Sequence, residues 1–132
     1  MSDTPIIWKP VSDQSEELFI DSVSVNGNGV EILMSTGASA ENQLRIEFDY
    51  CPSIRIHTEH VYNRTGSMKA WAQSNFWIVE DSDHRRWLRE SSGGVYDQDF
   101  TNYLIFTAEE CVDLLHSGEP LVEWINADNP VK

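Results

Sequence analysis

The fold depends on the stretch YLIFTAEECVDLL, residues 103–115, in which two apolar runs flank a polar centre. The first run, Tyr103 to Phe106, is uninterrupted, as is typical of a strand covered on both faces, so we predict a central strand there. The polar centre has the spacing of a capping box, in which the Thr107 hydroxyl accepts a hydrogen bond from the Glu110 amide. The stretch therefore predicts a strand followed by a helix that begins near Thr107.

The second apolar run predicts the amphipathic character of that helix. Cys111, Leu114 and Leu115 fall at positions i, i+3 and i+4, which places them on one apolar stripe. The carboxylates of the same segment would then point away from the stripe, into solvent or toward a partner: Glu109, Glu110 and Asp113. A Ser-Gly pair ends the helix, and Leu121 to Ile125 forms the last strand.

A β-hairpin is predicted near the start of the chain. Leu18 to Val25 and Val30 to Ser35 have the composition of strands, and Asn26-Gly27-Asn28-Gly29 lies between them. Asn-Gly pairs supply the positive φ angles that tight hairpin turns require, so this signal is strong.

A second hairpin is predicted from two alternating segments, Leu44 to Tyr50 and Ile54 to His60. If residues 51–53 form its loop, parity places charges of opposite sign across the two strands, which is modestly stabilising. The predicted pairs are Asp49 with Arg55, Glu47 with His57 and Arg45 with Glu59.

A short helix is predicted from Ser82, its N-cap, to about Glu90, anchored by Trp87 and Leu88. Together with further short strands, these elements predict one α+β domain over residues 1–132. We expect a mostly antiparallel or mixed sheet of about six strands with two short helices.

Charge excludes two classes of partner. The chain has 22 Asp and Glu against 9 Lys and Arg, for a net charge of −13. Nucleic acids and anionic membranes both require a basic surface, so neither is an expected partner. The acidic excess either keeps the protein soluble or steers a basic partner protein toward it.

The acidity is concentrated in one segment of the sequence. No Lys or Arg occurs between Glu90 and Val131. The carboxylates of this segment are Glu90, Asp97, Asp99, Glu109, Glu110, Asp113, Glu119, Glu123 and Asp128. Aromatic residues are interleaved with some of them, which resembles the anchors and charges of a protein interface, although such aromatics can also fix a loop to the core. The predicted partner-binding residues are Tyr96, Asp97, Asp99, Phe100, Glu109, Glu110 and Asp113.

Catalytic and metal-binding motifs are not recognisable in the sequence. It contains no nucleophile elbow, phosphate loop, dinucleotide glycine pattern or Cys-x-x-Cys. His57 and His60 lie three positions apart, and on a strand such residues face opposite sides of the sheet. We therefore predict no enzymatic activity, no metal and no cofactor. The alternative is a small metal- or ligand-binding domain, or an enzyme, that uses His57, His60 and nearby carboxylates.

A cytoplasmic location is expected. The segment Met1 to Pro5 lacks the basic start and apolar stretch of a secretory signal. Cys51 and Cys111 match no metal or redox spacing, which favours reduced thiols.

Three motifs in a fixed order carry a resemblance to a known family. DHRRWLRESSGG (residues 83–94) precedes the stretch 103–115, and EPLVEW (residues 119–124) follows it. This order resembles small bacterial immunity proteins, the cytoplasmic antidotes encoded beside polymorphic, contact-dependent or Rhs-type toxins. The likeness covers roughly residues 76–125. It implies an inhibitor that docks on one toxin domain, often a nuclease with a basic substrate cleft, and occludes the active site. The resemblance does not assign a binding role to any individual residue of this sequence.

Overall fold

The computed structural model describes residues 4–7, 18–27, 29–36, 42–58, 75–80, 82–95, 100–107 and 110–126. These ranges contain nine strands and one helix. In chain order they are β1 (Thr4–Ile7), β2 (Phe19–Asn26), β3 (Gly29–Ser35), β4 (Asn42–Phe48), β5 (Ser53–Thr58), β6 (Phe76–Glu80), α1 (Asp83–Ser91), β7 (Thr101–Phe106), β8 (Glu110–His116) and β9 (Leu121–Asn126). No helix in the described part of the chain is both long and apolar enough to cross a membrane.

The strands form two antiparallel sheets that pack face to face. One has five strands in the order β1-β6-β7-β8-β5, and the other has four in the order β2-β3-β4-β9. Alternate residues of each sheet enter the shared core, as period-two patterning requires. The largest contributors from the four-stranded sheet are Ile32, Met34, Leu44, Ile46 and Phe48, and those from the five-stranded sheet include Phe76, Tyr103, Ile105, Val112 and Leu114.

The second face of the five-stranded sheet is buried as well. Trp77 and Val79 of β6 cluster there with Leu104 and Phe106 of β7 and with Cys111 of β8. Leu88 of α1 packs against Phe100 and Leu115 on the same side. The prediction that residues 103–106 form a central strand covered on both faces is confirmed, because β7 is the middle strand of its sheet.

The predicted first hairpin is confirmed. β2 pairs with β3 up to Asn26 opposite Gly29, so the turn lies within the predicted Asn-Gly segment. Gly29 has a φ angle of 130°, and a Cβ atom built on it would lie 1.9 Å from the Phe48 carbonyl oxygen. Glycine is therefore required at this position for two reasons, its backbone conformation and the close approach of β4.

The predicted fold class, with one sheet of about six strands and two helices, is wrong. The segment expected to be the second helix is β8, and the capping box is instead a tight connection between β7 and β8. The Thr107 amide donates to the Glu110 carbonyl oxygen over 2.8 Å, which closes the hairpin. The Thr107 hydroxyl does accept the Glu110 amide at 3.0 Å, as predicted, but this bond occurs in a turn between strands.

The predicted second hairpin is also wrong, although both of its strands exist. β4 pairs with β3 and β9, whereas β5 pairs with β8 in the other sheet. Residues 49–52 therefore connect the two sheets. The expected charge pairs are replaced by others: Arg55 lies opposite Asp113, and Arg45 lies opposite Glu123.

The first helix is confirmed, with one correction. Ser82 is its N-cap, since the Ser82 hydroxyl accepts the Arg85 amide at 3.0 Å. Leu88 is buried as expected, but Trp87 is 53% exposed and does not anchor the helix to the sheet.

Candidate functional site

Six side chains form a hydrogen-bond network between α1 and the five-stranded sheet. We call this set the buried network: Ser53, Arg55, Ser82, His84, Asn102 and Asp113. The sheet register brings its members together. Ser53 and Asn102 both lie opposite Leu115, and Arg55 lies opposite Asp113, so all of them share the face that α1 covers.

Asp113 is the centre of the buried network. It is 3% exposed, and it accepts hydrogen bonds from side chains on three other elements. His84 Nδ1 lies 2.9 Å from Oδ1, Asn102 Nδ2 lies 2.6 Å from the same oxygen, and an Arg55 guanidinium nitrogen lies 2.5 Å from Oδ2. A buried carboxylate is stable only when it is paired and hydrogen-bonded, and these contacts meet that requirement.

The same contacts keep Asp113 ionised. Burial raises the pKa of its carboxyl group, but the hydrogen bond and electrostatic attraction of His84, the charge of Arg55 and the hydrogen bond of Asn102 outweigh it. Together they lower the pKa from 3.8 to about 2. At neutral pH the network therefore contains a carboxylate and a guanidinium in direct contact.

The network also fixes the start of α1. The Ser82 hydroxyl donates to Asn102 Oδ1 over 2.6 Å while it accepts the Arg85 amide, so the helix cap is bonded to β7. His84 follows in the first turn and is 0% exposed. Its Nε2 lies 2.7 Å from the Ser53 hydroxyl on β5. The first turn of α1 is thus bonded to three strands of the sheet.

Ser53, His84 and Asp113 have the connectivity of a hydrolytic Ser-His-Asp triad. In such a triad the imidazole takes the serine proton and passes it to a leaving group that arrives from solvent. The His84 ring has no exposed surface, and its two nitrogens contact Ser53 and Asp113. A leaving group cannot reach it in this conformation. The arrangement is suited to holding α1 on the sheet.

One side of the network is open to solvent at β5. The Arg55 side chain is 41% exposed, and its Nε is buried without a hydrogen-bond partner among the described residues. His57 follows on the same face of β5. Its pKa is lowered chiefly by burial and then by the positive charge of Arg55.

The outer face of the four-stranded sheet carries a second charged cluster, which we call the open-face cluster: Arg45, Glu31, Glu47 and Glu123. Arg45 lies on β4 between Leu33 of β3 and Glu123 of β9. Its Nε lies 2.7 Å from Glu31 and one terminal nitrogen lies 2.6 Å from Glu123, and the other terminal nitrogen contacts Glu47. Three carboxylates against one guanidinium leave a formal charge of −2.

The open-face cluster is far less buried than Asp113. Its three carboxylate side chains are between 34% and 39% exposed. The hydrogen bond to Glu31, more than any other contact, raises the pKa of the Arg45 guanidinium, so the residue stays charged. A depression of about 280 Å³ adjoins the cluster, lined in part by Ser24, Glu31 and Glu47.

The predicted partner-binding residues do not form one surface in the described part of the chain. Asp113 belongs to the buried network, and Phe100, 2% exposed, packs in the core. Neither can contact a partner directly in this conformation. Glu110 is half-buried at the start of β8. The remaining predicted residues lie outside the described ranges: Tyr96, Asp97, Asp99 and Glu109.

The alternative site around two histidines gains no support from the described residues. His57 lies on β5, as expected from the alternation, and His60 lies outside the described ranges. Within those ranges no group of three His, Cys, Asp or Glu side chains is placed to hold a metal ion.

Both clusters were missed by reasoning from the sequence, although one signal was present. Asp113 interrupts an apolar run, and in a buried strand a single carboxylate requires a partner. A helix assignment removed that requirement by placing Asp113 in solvent. The open-face cluster had no local signal, because Glu123 lies 78 positions from Arg45.

Comparisons with protein-family models, with curated proteins and with solved structures found no significant match to this chain.

Proposed function

We propose that this protein is a cytoplasmic immunity protein that binds a cognate toxin domain and neutralises it through an acidic face. The observation that supports this most is the open-face cluster, which presents a net charge of −2 on the outer face of β3, β4 and β9. The resemblance of residues 76–125 to small immunity proteins supports the class of function.

Preorganisation is the physical reason to expect binding at this face. Arg45 is bonded to three carboxylates at once, so their side chains are already ordered before a partner arrives. Ordering side chains at an interface costs about 0.5–1.5 kcal/mol for each flexible group, and that cost is reduced when they are held in advance. A rigid sheet surface of this kind suits a basic cleft.

Charge is also expected to determine how fast the two proteins associate. An acidic surface steers a basic partner and raises the association rate, an effect that salt screens. Tyr96, Asp97, Asp99 and Glu109 stay predicted contacts, beside Glu110.

Under this proposal a toxin domain is encoded beside the gene, and the experiment begins with that domain. Co-expression with this protein is expected to restore growth of cells that produce that domain. Purified proteins then give the association rate as a function of salt. Replacing two carboxylates, Glu31→Gln with Glu47→Gln, is expected to lower the association rate at low salt by roughly 3- to 10-fold.

The matched control replaces two exposed carboxylates outside the open-face cluster, Glu80→Gln with Glu90→Gln. It removes the same charge from the protein and is expected to change the rate much less. Equal effects of the two variants would place the interface elsewhere. Failure of the protein to protect cells from the neighbouring domain would overturn the proposed function.

A further inference from the structure

Among the described strands, four lie at the edges of the two sheets: β1 and β5 in one sheet, β2 and β9 in the other. An edge strand presents main-chain donors and acceptors along one side, and proteins usually protect such edges with proline, bulges, short length or charges. The four edges of this protein differ in that protection.

Three of the edges carry a recognised protective feature. β1 has four residues and includes Pro5, which cannot donate to an added strand. β2 has a register shift between Ile20 and Ser22, which interrupts regular pairing. β5 carries Arg55, a charged side chain directed at the buried network.

β9 has neither a proline nor a bulge, and its single charge is engaged by the neighbouring strand β4. Its sequence is LVEWIN, with no proline and no basic residue, and its pairing with β4 runs without a shift over all six residues. No other described strand pairs with its second edge. Its one charged residue, Glu123, is bonded to Arg45. Leu121 is 53% exposed and Trp124 is 48% exposed, although both belong to a regular strand.

The negative charge around β9 indicates which kind of strand would pair with it. A strand added beside β9 would lie next to Glu123 and the remaining carboxylates of the open-face cluster, whose net charge is −2. A second copy of this chain, paired through its own β9, would bring two such clusters together and be repelled. A strand that carries Lys or Arg would be attracted instead.

We propose that β9 is the docking edge, and that the partner protein adds an extended basic strand to it. Main-chain hydrogen bonds along β9 supply affinity, a basic side chain near Glu123 supplies register, and an apolar side chain packs on Trp124. This inference rests on the proposed function and specifies how the toxin domain is held.

The first test is amide hydrogen exchange of residues 121–126, measured by mass spectrometry with and without the neighbouring toxic domain. Strand addition is expected to slow exchange of these amides by about tenfold or more, because outward-facing amides gain partners. Unchanged exchange of β9 in a complex that still neutralises the toxin would overturn the docking edge and leave the proposed function intact.

The second test compares two tryptophans of similar exposure. Trp124→Arg places a positive charge where a basic strand would approach, and it is expected to weaken binding by at least about 10-fold. The control, Trp87→Arg on α1, changes an equally exposed tryptophan and is expected to leave affinity unchanged. A folded Trp124→Arg protein that binds as tightly as the wild type would overturn the inference.

Light scattering tests the alternative occupant of β9, a second copy of this chain. A monomer at micromolar concentration supports the proposal, whereas a dimer that Trp124→Arg dissociates would show that β9 pairs with a second copy. If the toxic domain is not bound at all, the proposed function fails together with the docking edge.

Discussion

Two arginines on opposite outer faces of the sandwich show how burial changes the role of an arginine–carboxylate ion pair. Arg45 contacts three carboxylates on the outer face of the four-stranded sheet, and each of these side chains is between 34% and 39% exposed. Arg55 contacts one carboxylate, Asp113, which α1 and β7 enclose almost completely. The first set remains accessible to solvent, whereas the second is enclosed and links α1 to the sheet.

The energetic difference follows from desolvation. Exposed ion pairs contribute about 0.2–1 kcal/mol, because water competes with both partners. Removing one member of a buried pair leaves the other without compensation and costs about 3–5 kcal/mol. The number of bonded carboxylates is therefore a poor guide to stability, since the face with more ion pairs depends on them less.

The largest expected effect is the loss of the Asp113 carboxylate. Asp113→Ala leaves His84, Asn102 and Arg55 without their common acceptor, so the free energy of unfolding is expected to fall by about 3–5 kcal/mol. Urea denaturation followed by tryptophan fluorescence measures it. Glu123→Ala, the matched change in the open-face cluster, is expected to cost about 1 kcal/mol or less. Equal losses from the two variants would contradict the comparison.

The second expected effect is a pH dependence of folding stability that arises from Asp113 in the buried network. Because the pKa of Asp113 is lower in the folded protein, at about 2, than its ordinary value of 3.8, the folded state binds fewer protons. Its contribution is fully present above about pH 4 and is lost as the pH falls through 2. The difference between the two pKa values corresponds to about 2 kcal/mol.

Comparison with Asp113→Asn isolates that contribution. The gap in unfolding free energy between this variant and the wild type is expected to shrink by about 2 kcal/mol between pH 5 and pH 2. The variant Glu47→Gln serves as the control. A constant gap for Asp113→Asn over the same range would show that the carboxylate is not selectively stabilised.

The smallest effect concerns Ser53, at the solvent-facing side of the buried network. Ser53→Ala removes the hydrogen bond to His84 Nε2 and is expected to cost about 1 kcal/mol of stability. If the contact is structural, the wild type will not react with a fluorophosphonate probe, as judged by intact mass. Labelling of the wild type that Ser53→Ala abolishes would instead identify an acyl-transfer site.

Three elements of the fold were predictable because local signals agree with each other there. The Asn-Gly turn of the first hairpin, the apolar run of β7 and the Ser82 cap of α1 each combine composition with a specific backbone requirement. The structure confirms all three. They fail to specify the partners of each strand, because pairing depends on contacts between distant segments.

The errors came from patterns that two structures share. Cys111, Leu114 and Leu115 fit a helical stripe, but the run 111–115 fits equally a strand buried on both faces. The Thr107 hydroxyl accepts the Glu110 amide in a helix cap and in a tight hairpin alike. A helix over this segment would place Asp113 at the surface, so the helical interpretation gives no indication of the buried network.

The position of β9 has a consequence for how the chain is made. Its partner β4 spans residues 42–48, so the two strands are separated by most of the molecule in sequence. During synthesis one hydrogen-bonding edge of β4 stays unpaired until residues 121–126 leave the ribosome, which favours late closure of the four-stranded sheet. The last of the described strands to be synthesised is also the docking edge that we propose, so assembly and the proposed recognition would place competing demands on the same six residues.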